Sequence, residues 1–114
     1  MKHIPAIIAA LCLAGCAQSA YLYYGDTSEK YYRSVKSPDP RSVQEYKRSL
    51  EEVFIKSERK GLPVPPGLYC DYALILAAEG DLAGARDFMV KEKTLWPDST
   101  QFIEHLLVRY NLRH

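Results

Sequence analysis

The chain has 114 residues, enough for one domain, and its 47% hydrophobic and 25% charged residues are ordinary for a globular protein. Its 15 Lys and Arg nearly balance its 14 Asp and Glu. Lys2 lies in a segment that we expect to be removed, which leaves 14 cationic side chains against 14 carboxylates. A neutral domain has little attraction for a polyanion, and this balance argues against nucleic acid as a partner.

Residues 1–15 have the pattern of a lipoprotein signal peptide. A short cationic start, residues 1–3, precedes ten apolar residues at 4–13. This run is too short to cross a bilayer as a helix, which takes about 20 apolar residues. It has the length of the central region of a signal peptide.

The end of this run resembles the bacterial lipobox, in which a large apolar residue and two small ones precede a cysteine. Here the residues are Leu13, Ala14, Gly15 and Cys16. The resemblance implies that a diacylglyceryl group is attached to the Cys16 sulfur and that cleavage makes Cys16 the first residue. We therefore expect residues 16–25 to form a lipidated tether. Several acyl chains hold a protein stably on a membrane. The alternative to a signal peptide is an N-terminal core helix that contains a cysteine.

The residues after the acylated cysteine bear on which membrane is reached. Lipoproteins retained at the inner membrane of many Gram-negative bacteria carry Asp there, whereas Ala17 and Gln18 follow Cys16. We therefore expect an outer-membrane lipoprotein whose domain faces the periplasm. The covalent lipid on Cys16 would be its only attached group.

Of the three cysteines, only Cys70 stays within the folded part. Cys12 leaves with the signal peptide, and Cys16 takes the lipid. Tyr69 and Asp71 offer Cys70 no cationic neighbour that would activate a thiol, so we expect a small buried hydrophobe. The alternative is a soluble exported protein with a disulfide between Cys16 and Cys70.

From residue 26 onward the apolar spacing predicts five helices and no strands. In the first, Asp26 and Glu29 are spaced as a capping box, and Tyr31, Tyr32 and Val35 would form the apolar side.

The second helix is predicted to begin with Asp39 as N-cap and Pro40 as its first residue, and to end at Gly61. Residues 62–67 contain three prolines and predict an extended linker. The apolar stripe of this helix is Val43, Tyr46, Leu50, Val53 and Phe54.

The third helix is predicted at about 68–79 and the fourth at about 82–95, with Asp81 as N-cap of the fourth. A fifth helix follows, with Asp98 and Gln101 as a second capping box. The predicted inward residues beyond the third helix are Ala85, Phe88, Met89, Leu95, Phe102, Ile103, Leu106, Leu107 and Tyr110.

Residues 66–99 span 34 positions, the length of a tetratricopeptide repeat, and resemble that family. Glu92 departs from the pattern, since it stands where a second small residue is usual. The preceding two helices would form a degenerate first repeat and the last helix a cap, because one repeat cannot bury its own flanks. A generic helical hairpin is the alternative. The predicted packing residues of the repeat are Tyr69, Tyr72, Ala73, Leu76, Gly80, Ala85 and Pro97.

Nearly the whole of residues 16–114 also resembles a family of small bacterial lipoproteins with a tetratricopeptide-like domain of unknown function. Three segments carry the resemblance: "LYYGDTSEKYYR", "SLEEVFIKSERKGLPVPPGLYCDYALILAAEGD" and "EKTLWPDS". Such proteins tend to be encoded beside two other lipoproteins, one of them related to the curli secretion channel subunit. The resemblance implies a part in a cell-envelope assembly, with a lipoprotein or periplasmic protein as partner.

Catalytic and metal-binding patterns are weak in this sequence. His105 lies between Glu104 and Leu106 on a predicted helix, and we expect a surface histidine there. The acidic, cysteine and histidine residues show no metal-ligand spacing. We expect an all-α interaction or assembly module spanning residues 26–114 and not an enzyme. The alternative is an envelope enzyme that uses Cys70 or His105.

Tyrosine is abundant, with nine in the chain, and Tyr21, Tyr23 and Tyr24 cluster near the expected anchor. They are expected to pack the first helix pair or to lie near lipid headgroups, where tyrosine is favoured. The alternative is a recognition surface, because tyrosine is enriched at protein interfaces.

Overall fold

A computed structural model describes residues 22–113 of the chain. The predicted signal peptide, Tyr21 and the lipobox residues up to Cys16 lie outside these residues. Within them all regular structure is helical, which confirms the predicted all-α class. The helices are α1 (Thr27–Lys36), α2 (Pro40–Lys60), α3 (Leu68–Ala78), α4 (Leu82–Leu95) and α5 (Thr100–Arg109), with a 3₁₀ turn at Pro97–Ser99.

The start of α1 differs from the predicted capping box. Asp26 precedes the helix but makes no capping hydrogen bond with its side chain. Instead, Ser49 Oγ of α2 donates a hydrogen bond to Asp26 Oδ1, at 2.5 Å. The Thr27 hydroxyl donates to the carbonyl of Tyr24 at 2.7 Å. Asp26 therefore ties α1 to α2 and does not cap its own helix.

The predicted apolar side of α1 is wrong, because its residues face outward. Tyr31, Tyr32 and Val35 are 50%, 60% and 61% exposed, and Thr27 is the one buried residue of α1. The physical reason is that, among the described helices, only α2 packs extensively against α1, so the other side of α1 stays uncovered. Tyr31 does lie edge-on to the ring of Tyr46 on α2, with centroids 5.5 Å apart.

Helix α2 begins as predicted. Asp39 Oδ1 accepts a hydrogen bond from the Ser42 backbone N–H at 2.8 Å, and Ser42 Oγ accepts one from the Asp39 N–H at 3.2 Å. Pro40 occupies the first turn, where a missing N–H leaves no hydrogen bond unmade. Gly61 ends the helix with a left-handed backbone, φ 65°.

Helices α3 and α4 form the most extensive helix pair and are joined by a three-residue turn, which makes them antiparallel neighbours. Gly80 has φ 89° in this turn, and Asp81 Oδ1 accepts from the Gly84 N–H at 2.9 Å to cap α4. Ala73 and Ala85 are fully buried, so that the two backbones approach closely. Leu95, predicted inward, is 37% exposed at the end of α4.

Helix α5 starts differently from the prediction. The 3₁₀ turn takes up Asp98, the helix begins at Thr100, and no side chain caps it. Ile103, Leu106 and Leu107 are buried, whereas Phe102 and Tyr110 are 58% and 37% exposed. Phe102 lies instead at the edge of a cavity that is described below.

A cluster of aromatic rings joins the two hairpins. Phe54 of α2 packs against Tyr69 and Tyr72 of α3 and against Phe88 of α4, with centroids 4.9, 5.2 and 5.7 Å away. Leu50 and Val53 of α2 are fully buried beside these helices. One core therefore runs from α2 to α5.

Candidate functional site

The first turn of α3 is capped by a side chain from another helix. Gly67 occupies the N-cap position of α3 and has no side chain that could accept a hydrogen bond. Glu92 of α4 fills this role, since its Oε1 accepts from the backbone N–H groups of Gly67 and Cys70, both at 3.1 Å. The first N–H groups of a helix lack partners within the helix, and its positive end favours a carboxylate.

Glu92 is only 2% exposed, and its other oxygen, Oε2, has no hydrogen-bond partner among residues 22–113. In the sequence, Glu92 is recognisable only as a departure from the repeat pattern. The signal was nevertheless present, because Ala85, Met89 and Glu92 follow one another at helical spacing on the buried side of α4. A buried carboxylate on such a stripe needs hydrogen-bond donors. The unpaired backbone N–H groups at the start of a helix supply them when the N-cap residue is a glycine, which has no side chain to accept from them.

A cavity of about 450 Å³ opens beside this carboxylate, between the start of α3, the end of α4 and α5. We call it the α3–α5 cavity. Its volume lies in the range of ligand-binding clefts. Its ionisable groups are Cys70 and the three carboxylates Asp71, Glu92 and Asp98, and its apolar side chains include Leu74, Trp96, Phe102 and Ile103.

A smaller cavity of about 180 Å³ lies between α1, α2 and the start of α3, and we call it the α1–α3 cavity. Tyr24, Tyr31 and Tyr46 line it together with Leu68 and Asp71. Asp71 lines both cavities, so the two cavities adjoin at this residue.

Asp71 is held by a short hydrogen bond that the Tyr46 hydroxyl donates to its Oδ2. Burial raises the pKa of the Asp71 carboxyl above its usual value, although the Tyr46 hydrogen bond acts in the opposite direction. Burial, together with the same carboxylate, raises the pKa of the Tyr46 hydroxyl. The pair therefore keeps the phenol protonated and fixes the position of Asp71 between the two cavities.

The two residues of the predicted enzyme alternative lie in different settings. Cys70 is 5% exposed, and burial, reinforced by the negative charges of Asp71 and Glu92, raises its pKa to about 12. Such a thiol carries almost no thiolate at neutral pH. His105 is exposed on α5. Cys70 forms no disulfide within the described residues, and Cys16 lies outside them.

The predicted packing residues of the repeat occupy several settings. Tyr72, Ala73, Leu76 and Ala85 are buried between α3 and its neighbours, and Tyr69 is half-buried in the aromatic cluster. Gly80 takes a left-handed backbone in the turn between α3 and α4, and Pro97 is exposed at the start of the 3₁₀ turn.

Neither a metal cluster nor a spanning helix is found in the described range. Residues 22–113 contain no group of three His, Cys, Asp or Glu side chains placed to hold a metal ion. None of the helices in that range combines the length and apolarity that crossing a bilayer requires.

The fold and its cavities define a small all-α domain with two adjoining cavities, of which the larger is acidic and partly apolar. Comparison with family models identifies the family of this domain. The chain belongs to the family described as "Domain of unknown function (DUF4810)", whose model matches residues 21–106. This range runs from just before α1 into α5. No curated protein and no solved structure matches the chain.

Proposed function

We propose that the protein is a lipid-anchored interaction or assembly module of the bacterial cell envelope. In this proposal Cys16 carries the acyl chains at the outer membrane, and the helical domain faces the periplasm. The protein has no catalytic role and no metal or other cofactor.

The observation that carries the proposal is the position of the lipobox relative to the domain. Cys16 stands six residues before Leu22, the first described residue. An extended chain covers at most about 3.6 Å per residue, so these six residues reach roughly 20 Å. A lipid on Cys16 would therefore keep α1 close to the membrane surface.

Exposed aromatic side chains support an interaction role. Tyr31, Tyr32 and Phe102 are at least half exposed, and they lie on α1 and α5 at the two ends of the helix array. Tyrosine and phenylalanine are enriched at protein interfaces. The buried and weakly acidic Cys70 thiol favours this role over thiol catalysis.

The finer architecture belongs to the same proposal. The hairpins α1–α2 and α3–α4 would be two tetratricopeptide-like repeats, and α5 would be the cap. Their order and the close α3–α4 packing at Ala73 and Ala85 support this arrangement. The proposed partners are neighbouring envelope lipoproteins, including one related to the curli secretion channel subunit.

The anchor is tested by metabolic labelling with a clickable fatty acid in the producing cell. The wild-type chain and the Cys12→Ala variant should both take up the label, because Cys12 precedes the lipobox. The Cys16→Ala variant should take up none. Labelling of Cys16→Ala at the wild-type level would overturn the anchor.

The interaction role is tested by placing a photo-crosslinking amino acid at Tyr32 or Phe102 in living cells. Crosslinked species containing an envelope protein are expected from at least one of these positions. The control position is Glu52, which is exposed on α2 outside both cavities and whose carboxylate pairs with Lys56. Crosslinks that are absent from both test positions, or equally strong from the control, would contradict the role.

A further inference from the structure

The groove formed by the two cavities has acidic side chains concentrated in the α3–α5 cavity. Asp71 lines both cavities, and Glu92 and Asp98 line the larger one. No lysine or arginine among residues 22–113 lines either cavity. The groove therefore supplies no cationic side chain that could balance these carboxylates.

Glu92 provides a second and independent indication of a ligand. Its Oε1 is hydrogen-bonded to the N–H groups of Gly67 and Cys70, both of which line the α3–α5 cavity, so the carboxylate lies at the cavity wall. Its Oε2 lacks a partner within the described part of the chain, although Glu92 is only 2% exposed. Buried polar atoms in native proteins are nearly always paired, and a carboxylate beside a cavity favours a cationic group there.

The same cavity also offers an apolar surface. Phe102 is 58% exposed at its edge, and Leu74 and Trp96 are partly buried in its wall. Apolar side chains exposed next to fixed carboxylates match a ligand that carries a cation beside a hydrophobic group.

We infer that the α3–α5 cavity binds a polypeptide segment of a partner protein through a Lys or Arg side chain and a neighbouring apolar side chain. The cation faces Asp71, Asp98 and the wall at Glu92, and the apolar group packs on Phe102. The segment continues past Asp71 toward the tyrosines of the α1–α3 cavity, which is why a polypeptide fits better than a small cation. This inference rests on the proposed interaction role and adds the site and the chemistry of the partner.

The test uses the full chain as isolated from the producing cell and a phage-displayed library of random dodecapeptides. Selected peptides are synthesised, and their binding is measured by fluorescence polarisation. The test variants are Asp98→Asn and Phe102→Ala, because both side chains are exposed and their loss leaves the core intact. The matched controls are Asp87→Asn on α4 and Val108→Ala on α5, which are exposed and line neither cavity.

The expected peptides carry Lys or Arg within four residues of Leu, Ile, Met or Phe. Their affinity should fall about tenfold in Asp98→Asn, as for the loss of a charge-assisted contact, and about fivefold or more in Phe102→Ala. It should change less than about twofold in the two control variants. Addition of salt should weaken binding by the wild-type chain.

Several results would overturn the inference. These are the absence of enriched peptides, enrichment without a cationic preference, and binding that ignores both test substitutions. Spermidine binding as tightly as the peptides would assign the cavity to a small polycation. A dimer of the chain that dissociates in Phe102→Ala would place a second copy in the groove.

Failure of this inference can be separated from failure of the proposed function. Peptide binding does not depend on the lipid, so a chain without acyl groups can still bind peptides. Conversely, envelope crosslinks from position 32 that persist when Asp98→Asn or Phe102→Ala is added would keep the interaction role and move it to another face.

Discussion

Replacing Glu92 with alanine tests the claim that α4 caps α3. The substitution removes the acceptor for the N–H groups of Gly67 and Cys70 and leaves both donors without a protein partner. Because Glu92 is 2% exposed, water reaches these donors poorly. The perturbation therefore acts on the start of α3, which carries Asp71 and the wall of the α3–α5 cavity.

The magnitude follows from the two hydrogen bonds. Loss of an N-cap acceptor costs roughly 1 kcal/mol and up to about 2 kcal/mol, and an unsatisfied buried donor costs about 1–3 kcal/mol. Removal of a buried carboxylate that has an unpaired oxygen offsets part of this loss. We therefore expect Glu92→Ala to lower the free energy of unfolding by about 2–4 kcal/mol, a large share of the ~5–15 kcal/mol typical of a domain.

Glu92→Gln separates the cap from the charge. Its amide oxygen can still accept from Gly67 and Cys70, so the expected loss is below about 1.5 kcal/mol. Glu52→Ala is the matched control, because Glu52 is an exposed partner of Lys56, and such pairs contribute about 0–1 kcal/mol.

Urea denaturation followed by helical circular dichroism measures all three variants. Fluorescence of Trp96, which lines the same cavity and donates its indole N–H to the Val64 carbonyl at 2.9 Å, provides a second probe. A loss below about 1 kcal/mol in Glu92→Ala, or an equal loss in Glu92→Gln and Glu92→Ala, would refute the capping argument.

Four further predictions address other parts of the molecule. Because burial raises the pKa of Cys70 to about 12, its thiol should react with iodoacetamide at pH 8 about 10³-fold more slowly in the folded than in the unfolded chain. Cys70→Ser is the blank, and equal rates would contradict the burial of the thiol. Burial raises the folded-state pKa of Asp71, so the stabilising contribution of its protonated form is present at low pH and is lost as the pH rises. The stability of Asp71→Asn relative to wild type should therefore grow from about pH 3 to 7 in urea melts, and a constant or falling difference would refute this. Gly61→Ala should lose about 1–2 kcal/mol in the same melts because φ is 65° there, and an unchanged midpoint would contradict the left-handed cap. Tyr32→Ala should stay within about 0.5 kcal/mol of wild type, and a core-like loss above about 2 kcal/mol would show that α1 buries this face.

Local chemistry made some elements predictable from the sequence alone. Asp39 followed by Pro40 specifies a helix start within two residues, and the structure has both in these positions. The buried stripe of α2, including Leu50 and Val53, also follows from spacing alone. The all-α class rests on such local signals repeated along the chain.

Other features depend on which elements become neighbours, and spacing does not specify this. Asp26 had the spacing of a cap but bonds to Ser49 on α2, because α1 packs there. Phe102 and Ile103 are both apolar neighbours on α5, but Ile103 is buried whereas Phe102 lies exposed at the edge of the α3–α5 cavity. The role of Glu92 required knowledge that the end of α4 meets the start of α3.

The central claim is that acyl chains hold this helical domain at a membrane surface, and the mass of the native N-terminal peptide tests it most directly. The chain is purified from its own cells, digested, and analysed by tandem mass spectrometry. We predict a first residue Cys16 whose mass is raised by a diacylglyceryl group, with or without a further acyl chain on its amine. A native chain that begins at another residue, or a Cys16 without added mass, would contradict the account.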